Sequence, residues 1–126
     1  SLTGNSEVSY ELADLSRYNQ IRDLAKRWQG PLHVLINNAA CTPRCRQETP
    51  EGIEMQFATN VLGYYWLIDE FMEILKASAP ARVVNVASYW AGGLDLNDLE
   101  FTRRSYDNDQ AYRQSRSLSM PVILAM

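Results

Sequence analysis

With 126 residues, 46% of them hydrophobic, the chain has enough apolar content for one modest core or for a piece of a larger domain. Its formal charge of -3 arises from dispersed Asp, Glu, Lys and Arg with no basic stripe, which argues against a nucleic-acid partner. No apolar run is long enough to span a bilayer, and Ser1–Tyr10 is too polar for a signal peptide, so a soluble, cytoplasmic chain is expected.

Ser1, Gly4, Asn5 and Ser6 read as loop, and alternation over Glu7–Leu12 predicts a short strand ending at Asp14 and Leu15. Ser16 is a suitable N-cap for a helix on which Ile21, Leu24, Ala25 and Trp28 recur at helical spacing, and Gly30-Pro31 closes it. Leu32–Ile36 predicts a strand buried on both faces, with His33 packed or partly exposed inside it. Asn37, Asn38, Ala39 and Ala40 follow, then a polar loop to Glu48. Cys41 and Cys45 in that loop lack the further ligands of a zinc site and read as free thiols of a reducing compartment.

Thr49 as N-cap, Pro50 in the first turn and Glu51 near the positive helix end predict the start of a long helix. Ile53, Phe57, Val61, Tyr64, Ile68, Phe71 and Leu75 step by three or four, an apolar face with Asn60 beside it. Ala79-Pro80 ends this helix, and Arg82–Ala87 predicts a second buried strand that delivers Ser88 to the carboxyl edge of a parallel sheet. The polar connection Gly92–Asp109 has the length of a functional lid, and its Asp95, Asp98 and Glu100 read as solvated charges without the spacing of a calcium loop. A last helix starts near Asp109 and carries Ala111, Tyr112, Ser115 and Arg116; Pro121 interrupts it, leaving Val122–Met126 as an apolar tail. Strands alternating with helices are the pattern of βαβ units, so the predicted class is α/β with a parallel sheet.

Tyr112 and Arg116, one helical turn apart, share a helix face. With Ser88 they form a candidate cluster of phenol, fixed cation and hydroxyl. A phenol has an ordinary pKa of about 10, so it needs such a cation to ionise nearer neutral pH. That chemistry suits proton transfer to or from a carbonyl oxygen.

The segments Asp14-Leu15, Leu35–Ala40, Phe57–Gly63, Arg82–Ser88 and Ala111–Arg116, in this order, closely resemble the short-chain dehydrogenase/reductase family, particularly its retinol-dehydrogenase-like members. The resemblance covers roughly Leu12 to Arg116. It implies that residues 1–126 form a partial NAD(P)-binding Rossmann-like domain, lacking the first two strands and the C-terminal strands of the family domain. It further implies hydride transfer between NAD or NADP and a small alcohol or carbonyl compound. Ser88, Tyr112, Arg116 and Asn60 take the catalytic positions, Asn60 by helping to hold a relay water. Asp14, Leu15, Asn38, Ala39, Ala40, Tyr112 and Arg116 take the cofactor positions, and no metal is implied.

Two departures from the family pattern matter. Ala40 stands where Gly is usual, which requires a residue outside the positive-φ region. Arg116 stands where the family has lysine; it favours a phenolate by charge but, being always protonated, cannot pass a proton onward. The stretch Leu94–Phe101 resembles an acidic insertion of the retinol-dehydrogenase-like branch that borders the substrate. No glycine-rich phosphate turn is found before the first predicted strand, so little or no turnover is expected of the isolated chain, and unpaired strand edges are expected in its sheet. The alternative reading is a non-enzymatic interaction or dimerisation module, a homodimer through the helices at Thr49–Lys76 and Asp109–Ser119. Tyr64, Tyr65 and Trp66 would then serve a contact rather than ordinary packing.

Overall fold

A computed structural model describes residues 4–119. In chain order its elements are α1 (Tyr18–Arg27), β1 (Val34–Asn37), α2 (Met55–Phe57), a π turn (Ala58–Leu62), α3 (Gly63–Ala77), β2 (Arg82–Asn85) and α4 (Asn108–Leu118). The two strands pair in parallel, Val34 opposite Arg82 through Asn37 opposite Asn85, so the helical run between them is the crossover of a βαβ unit. Side chains alternate across a strand, and the register sets Leu35 beside Val83 on one face. On that face they meet Ile21 and Ala25 of α1 and Leu67, Phe71 and Leu75 of α3, with Leu15, Leu24 and Trp66 packed around them. Ile21, Leu75 and Val83 are fully buried, each contributing about 1.5–3 kcal/mol by removal from water.

The other sheet face is uncovered. Val34 is 51% and Ile36 60% exposed, which corrects the expectation of strands buried on both sides: α1 and α3 cover one face only. The expected strand at residues 7–12 is likewise not formed. Val8, Tyr10 and Leu12 lie exposed, because among the described residues β1 and β2 pair only with each other and leave this alternating segment no hydrogen-bonding neighbour.

Both predicted helix starts move. Ser16 does not cap α1; its N–H and hydroxyl both donate to Asp14 Oδ1, at 2.9 and 2.7 Å, and Arg17 occupies the cap position without a side-chain bond to the helix. Thr49 starts no helix either. Its N–H donates to the Ile53 carbonyl at 2.8 Å and Gly52 closes the loop at φ +83, a conformation that a helix cannot continue through. The cap is Glu54, whose carboxylate accepts from the N–H groups of Gln56 and Phe57.

The predicted apolar stripe holds in its second half, where Tyr64, Phe71 and Leu75 are buried, and slips in its first, where Ala58 and Asn60 are buried and Phe57 and Val61 only partly so. The cause is the π turn, in which the Gly63 N–H reaches back to the Ala58 carbonyl and rotates the preceding residues relative to those that follow.

The connection between β2 and α4 is pinned rather than solvated. Asp98 is buried and accepts from the N–H groups of Thr102 and Arg103, and Arg104 sits 4.1 Å over the Phe101 ring. Gln114 of α4, also buried, donates to the carbonyls of Asp98 and Leu99 and accepts from the Asp95 N–H at 2.8 Å. Pro121 and the apolar tail Val122–Met126 lie outside the described residues. No described helix is long and apolar enough to cross a membrane.

Gly63 marks the tightest backbone approach: a Cβ there would lie 2.6 Å from the Leu15 carbonyl oxygen. Replacing an ordinary helical glycine by alanine stabilises by about 1 kcal/mol. Gly63→Ala is expected to do the reverse, costing about 1–3 kcal/mol of overpacking. Urea unfolding checks this, with a lowered midpoint expected and a raised one showing that the Leu15 segment yields.

Candidate functional site

The site gathers at the carboxyl ends of β1 and β2, where α4 crosses the start of α3. Ser88 follows β2, while Tyr112 and Arg116 project from α4. Arg116 is 4% exposed, and its Nη1 donates to the Val86 carbonyl and to the Tyr64 hydroxyl, both at 2.8 Å. Its guanidinium carbon lies 5.3 Å from the centre of the Tyr112 ring and 5.9 Å from that of Tyr64. The Tyr64 hydroxyl in turn donates to the Ala39 carbonyl at 3.0 Å.

Electrostatics follow from this packing. Burial works against ionisation of Tyr112, but the neighbouring Arg116 guanidinium and Ser88 hydroxyl outweigh it and hold the phenol pKa below its usual value. Burial also works against the Arg116 cation, and the bond to Tyr64 with the nearby Tyr112 outweighs that cost, so the guanidinium stays charged. Ser88 Oγ accepts from the Trp90 N–H at 3.1 Å, which occupies a lone pair and leaves the hydroxyl proton free to donate.

Asn60 is fully buried in the π turn, and three of its four side-chain hydrogen-bonding positions are engaged nearby. Oδ1 accepts from the Cys41 N–H at 2.9 Å, and Nδ2 donates to the Cys41 carbonyl and to Ser115 Oγ at 3.1 and 3.0 Å. It therefore ties the loop after β1 to α4. Cys41 and Cys45 are unpaired, and burial pushes the Cys41 thiol up, away from a reactive thiolate.

Beyond Tyr112 opens a cleft of about 320 Å³ lined by Trp90, Asp109, Tyr112 and Arg113. On the other side, Asn38, Ala39 and Ala40 leave β1 exposed to solvent, and Ala40 avoids positive φ, the condition its side chain imposes. Leu15 reaches this edge through its carbonyl against Gly63, whereas exposed Asp14 organises the entry to α1. Arg116 Nε, though buried, has no acceptor among the described residues.

The structure thus brings Ser88, Tyr112 and Arg116 together, and joins Ala39, Leu15 and Asn60 to them through neighbours. Four participants escaped the sequence reading: Tyr64, Ser115, Trp90 and the Val86 carbonyl. Tyr64 carried a signal, since a tyrosine on an otherwise apolar helix face buries a hydroxyl that needs a partner; the others act through backbone groups or a common serine.

Two measurements test this geometry. Asn60→Ala leaves the buried partners at Cys41 and Ser115 unsatisfied and is expected to cost about 1–3 kcal/mol in urea unfolding. In a phenolate-absorbance titration one tyrosine is expected to ionise ahead of the rest, and Arg116→Met is expected to move it back up. The sign for stability follows: a lowered Tyr112 pKa stabilises the fold only as pH rises through that value, fully above the unfolded phenol's range, and the gain is lost as pH falls.

A profile of the short chain dehydrogenases matches residues 3–94. Retinol dehydrogenase 13 of Mus musculus is 37% identical over 119 residues, an alignment covering 90% of this chain and 36% of that protein. The crystal structure of an uncharacterized protein from Mycobacterium paratuberculosis superposes with a TM-score of 0.71 at 33% identity, over 82% of this chain and 38% of that one. Pseudomonas aeruginosa RhlG, solved as an NADP active-site complex, superposes with a TM-score of 0.60 at 26% identity, over 84% and 41%. The chain spans little more than a third of the length of the curated relatives it matches. Its two-stranded α/β unit corresponds to part of a Rossmann-like domain.

Proposed function

This chain belongs to the short-chain dehydrogenase/reductase family, and we propose that it carries the proton-transfer part of a site for NAD(P)-dependent interconversion of an alcohol and a carbonyl compound. The observation that supports this most is that the Tyr112 ring lies 5.3 Å from the guanidinium carbon of buried Arg116 and lines an open cleft. In the reducing direction Tyr112 Oη gives its proton to the carbonyl oxygen, and Ser88 Oγ donates a hydrogen bond to that same oxygen. Arg116 steadies the phenolate that remains. Since a guanidinium does not release a proton, Tyr112 is reprotonated by water from the cleft. Oxidation of an alcohol runs these steps in reverse. Asn60 acts in this reading by positioning, because both its amide protons are taken by Cys41 and Ser115 and its Oδ1 accepts from Cys41.

A nicotinamide cofactor, when bound, supplies or accepts the hydride. The residues we assign to hold it are Asp14, Leu15, Asn38, Ala39 and Ala40 with Tyr112 and Arg116. The fit rests on the exposed edge at Asn38–Ala40 and on the buried Nε of Arg116, a donor suited to a ribose hydroxyl. The two unpaired thiols suit the cytoplasm.

The chain contains no closely spaced glycine triad to cradle a pyrophosphate, so turnover by it alone is expected to be slow. Transfer from NADPH or NADH to a panel of aldehydes and ketones, followed by nucleotide absorbance, is expected to fall about 10²–10⁴-fold in Tyr112→Phe. Activity with either nucleotide that is indifferent to that substitution overturns the reading.

A further inference from the structure

Among the buried polar groups that the chemistry above leaves unused is the Tyr64 hydroxyl. Tyr64 sits at the start of α3, 2% exposed, where the loop after β1, the end of β2 and α4 converge. Its Oη accepts from Arg116 Nη1 and donates to the Ala39 carbonyl, so one atom links the proposed phenol activator to the proposed cofactor edge. The Val86 carbonyl takes the second bond from the same Nη1. A guanidinium is a planar fork, and two acceptors on one arm fix both its reach and its plane. The remaining arm and Nε are thereby directed away from Tyr64 and Val86.

We propose that Tyr64 is a positioning residue: its hydroxyl sets the guanidinium plane of Arg116 so that this cation bears on Tyr112, and it transmits that setting to the Ala39 turn. An arginine is longer than the lysine of the family pattern and its charge is spread over a plane, so it requires an anchor that a compact ammonium does not. Tyr64 and Val86 provide that anchor from two different elements. Removing the hydroxyl leaves Nη1 one acceptor, frees the guanidinium to rotate about the Val86 bond, and releases Ala39 to solvent at an already exposed edge. The cost therefore falls on the orientation of Arg116 more than on the fold. The groups facing Tyr112 are Arg116 from its own helix, the Tyr64 ring beyond it from α3, Ser88 from the strand end, and Asp109 and Arg113 along the cleft. Of these, Tyr64 touches Tyr112 only through Arg116, which makes its effect separable.

This inference rests on the reading of Tyr112 as the proton donor, and its test uses neither nucleotide nor turnover. The 126-residue chain is labelled with ¹³Cζ-tyrosine and each phenol is titrated by NMR. Tyr64→Phe is expected to shift the Tyr112 midpoint upward, whereas Tyr65→Phe, on the same helix but 62% exposed, leaves it in place. An unchanged Tyr112 midpoint in a folded Tyr64→Phe chain overturns the proposal and leaves the oxidoreductase reading standing. Should that variant fail to fold, ¹⁵N-arginine signals of the unsubstituted chain decide. Resolved Nη1 and Nη2 signals for Arg116, with Nη1 protons showing cross-peaks to the Tyr64 ring, support it; averaged signals overturn it.

Discussion

A single irregularity of the helix, the π turn at Ala58–Leu62, organises this site. A regular α-helix presents to its neighbours only residues three or four apart, one stripe on one partner. The wider turn here rotates Asn60 inward, so that within five residues the chain contacts Cys41 and Ser115 through Asn60, Leu15 through Gly63, and Ala39 and Arg116 through Tyr64. These contacts reach three segments that meet at the carboxyl edge of the sheet: the loop after β1, α4 and the stretch at Leu15. Side-chain hydrogen bonds and one bare backbone approach hold them, so positions are defined by direction as well as distance. π turns are rare and occur often at functional sites, and here the reason is visible: the turn makes one helix serve several partners at once.

The second constraint is how a positive charge is kept in a buried place. A cation removed from water must recover its solvation from fixed acceptors, and Arg116 recovers it from the Val86 carbonyl and the Tyr64 hydroxyl, with two aromatic rings nearby. This arrangement leaves the guanidinium undersatisfied on one side, at Nε. The same residual demand that lowers the Tyr112 pKa makes Arg116 a donor in search of an acceptor. One group thus tunes the phenol and offers a hydrogen bond in the proposed cofactor position, and geometry decides how its donors are shared.

How much of this was legible in the residues depends on the kind of interaction. The βαβ order, the α1 face at Ile21 and Ala25, and the meeting of Ser88, Tyr112 and Arg116 follow from periodicity and motif, which report on side chains facing a common core or edge. Helix starts were misplaced because caps compete locally: Thr49 is the favoured cap type and Glu54 is not, yet the positive φ at Gly52 breaks the path from Thr49 and leaves Glu54 to cap. The strand at residues 7–12 carried the right alternation, but alternation states only that a segment suits a sheet, and no neighbour pairs with it among the described residues. The π turn has no sequence signature of its own, so Tyr64 read as core. Its ring is core; its hydroxyl belongs to the site.

The uncovered sheet face bears on how far the site depends on the rest of the molecule. All of the hydrophobic cluster lies on the side of α1 and α3, and the bonds that position Arg116 and Asn60 run between the π turn, α3, α4, the end of β2 and the loop after β1. Covering Val34, Ile36 and Val84 would add apolar burial without touching any of these bonds. Stability and site geometry are therefore separable here: the opposite face sets how firmly the two strands are held, whereas the orientation of the phenol and its cation is settled by the helices. In the proposed reading a cofactor's phosphates call for a glycine-lined turn. Its reactive end asks only for the strand edge and α4, the parts that are already braced.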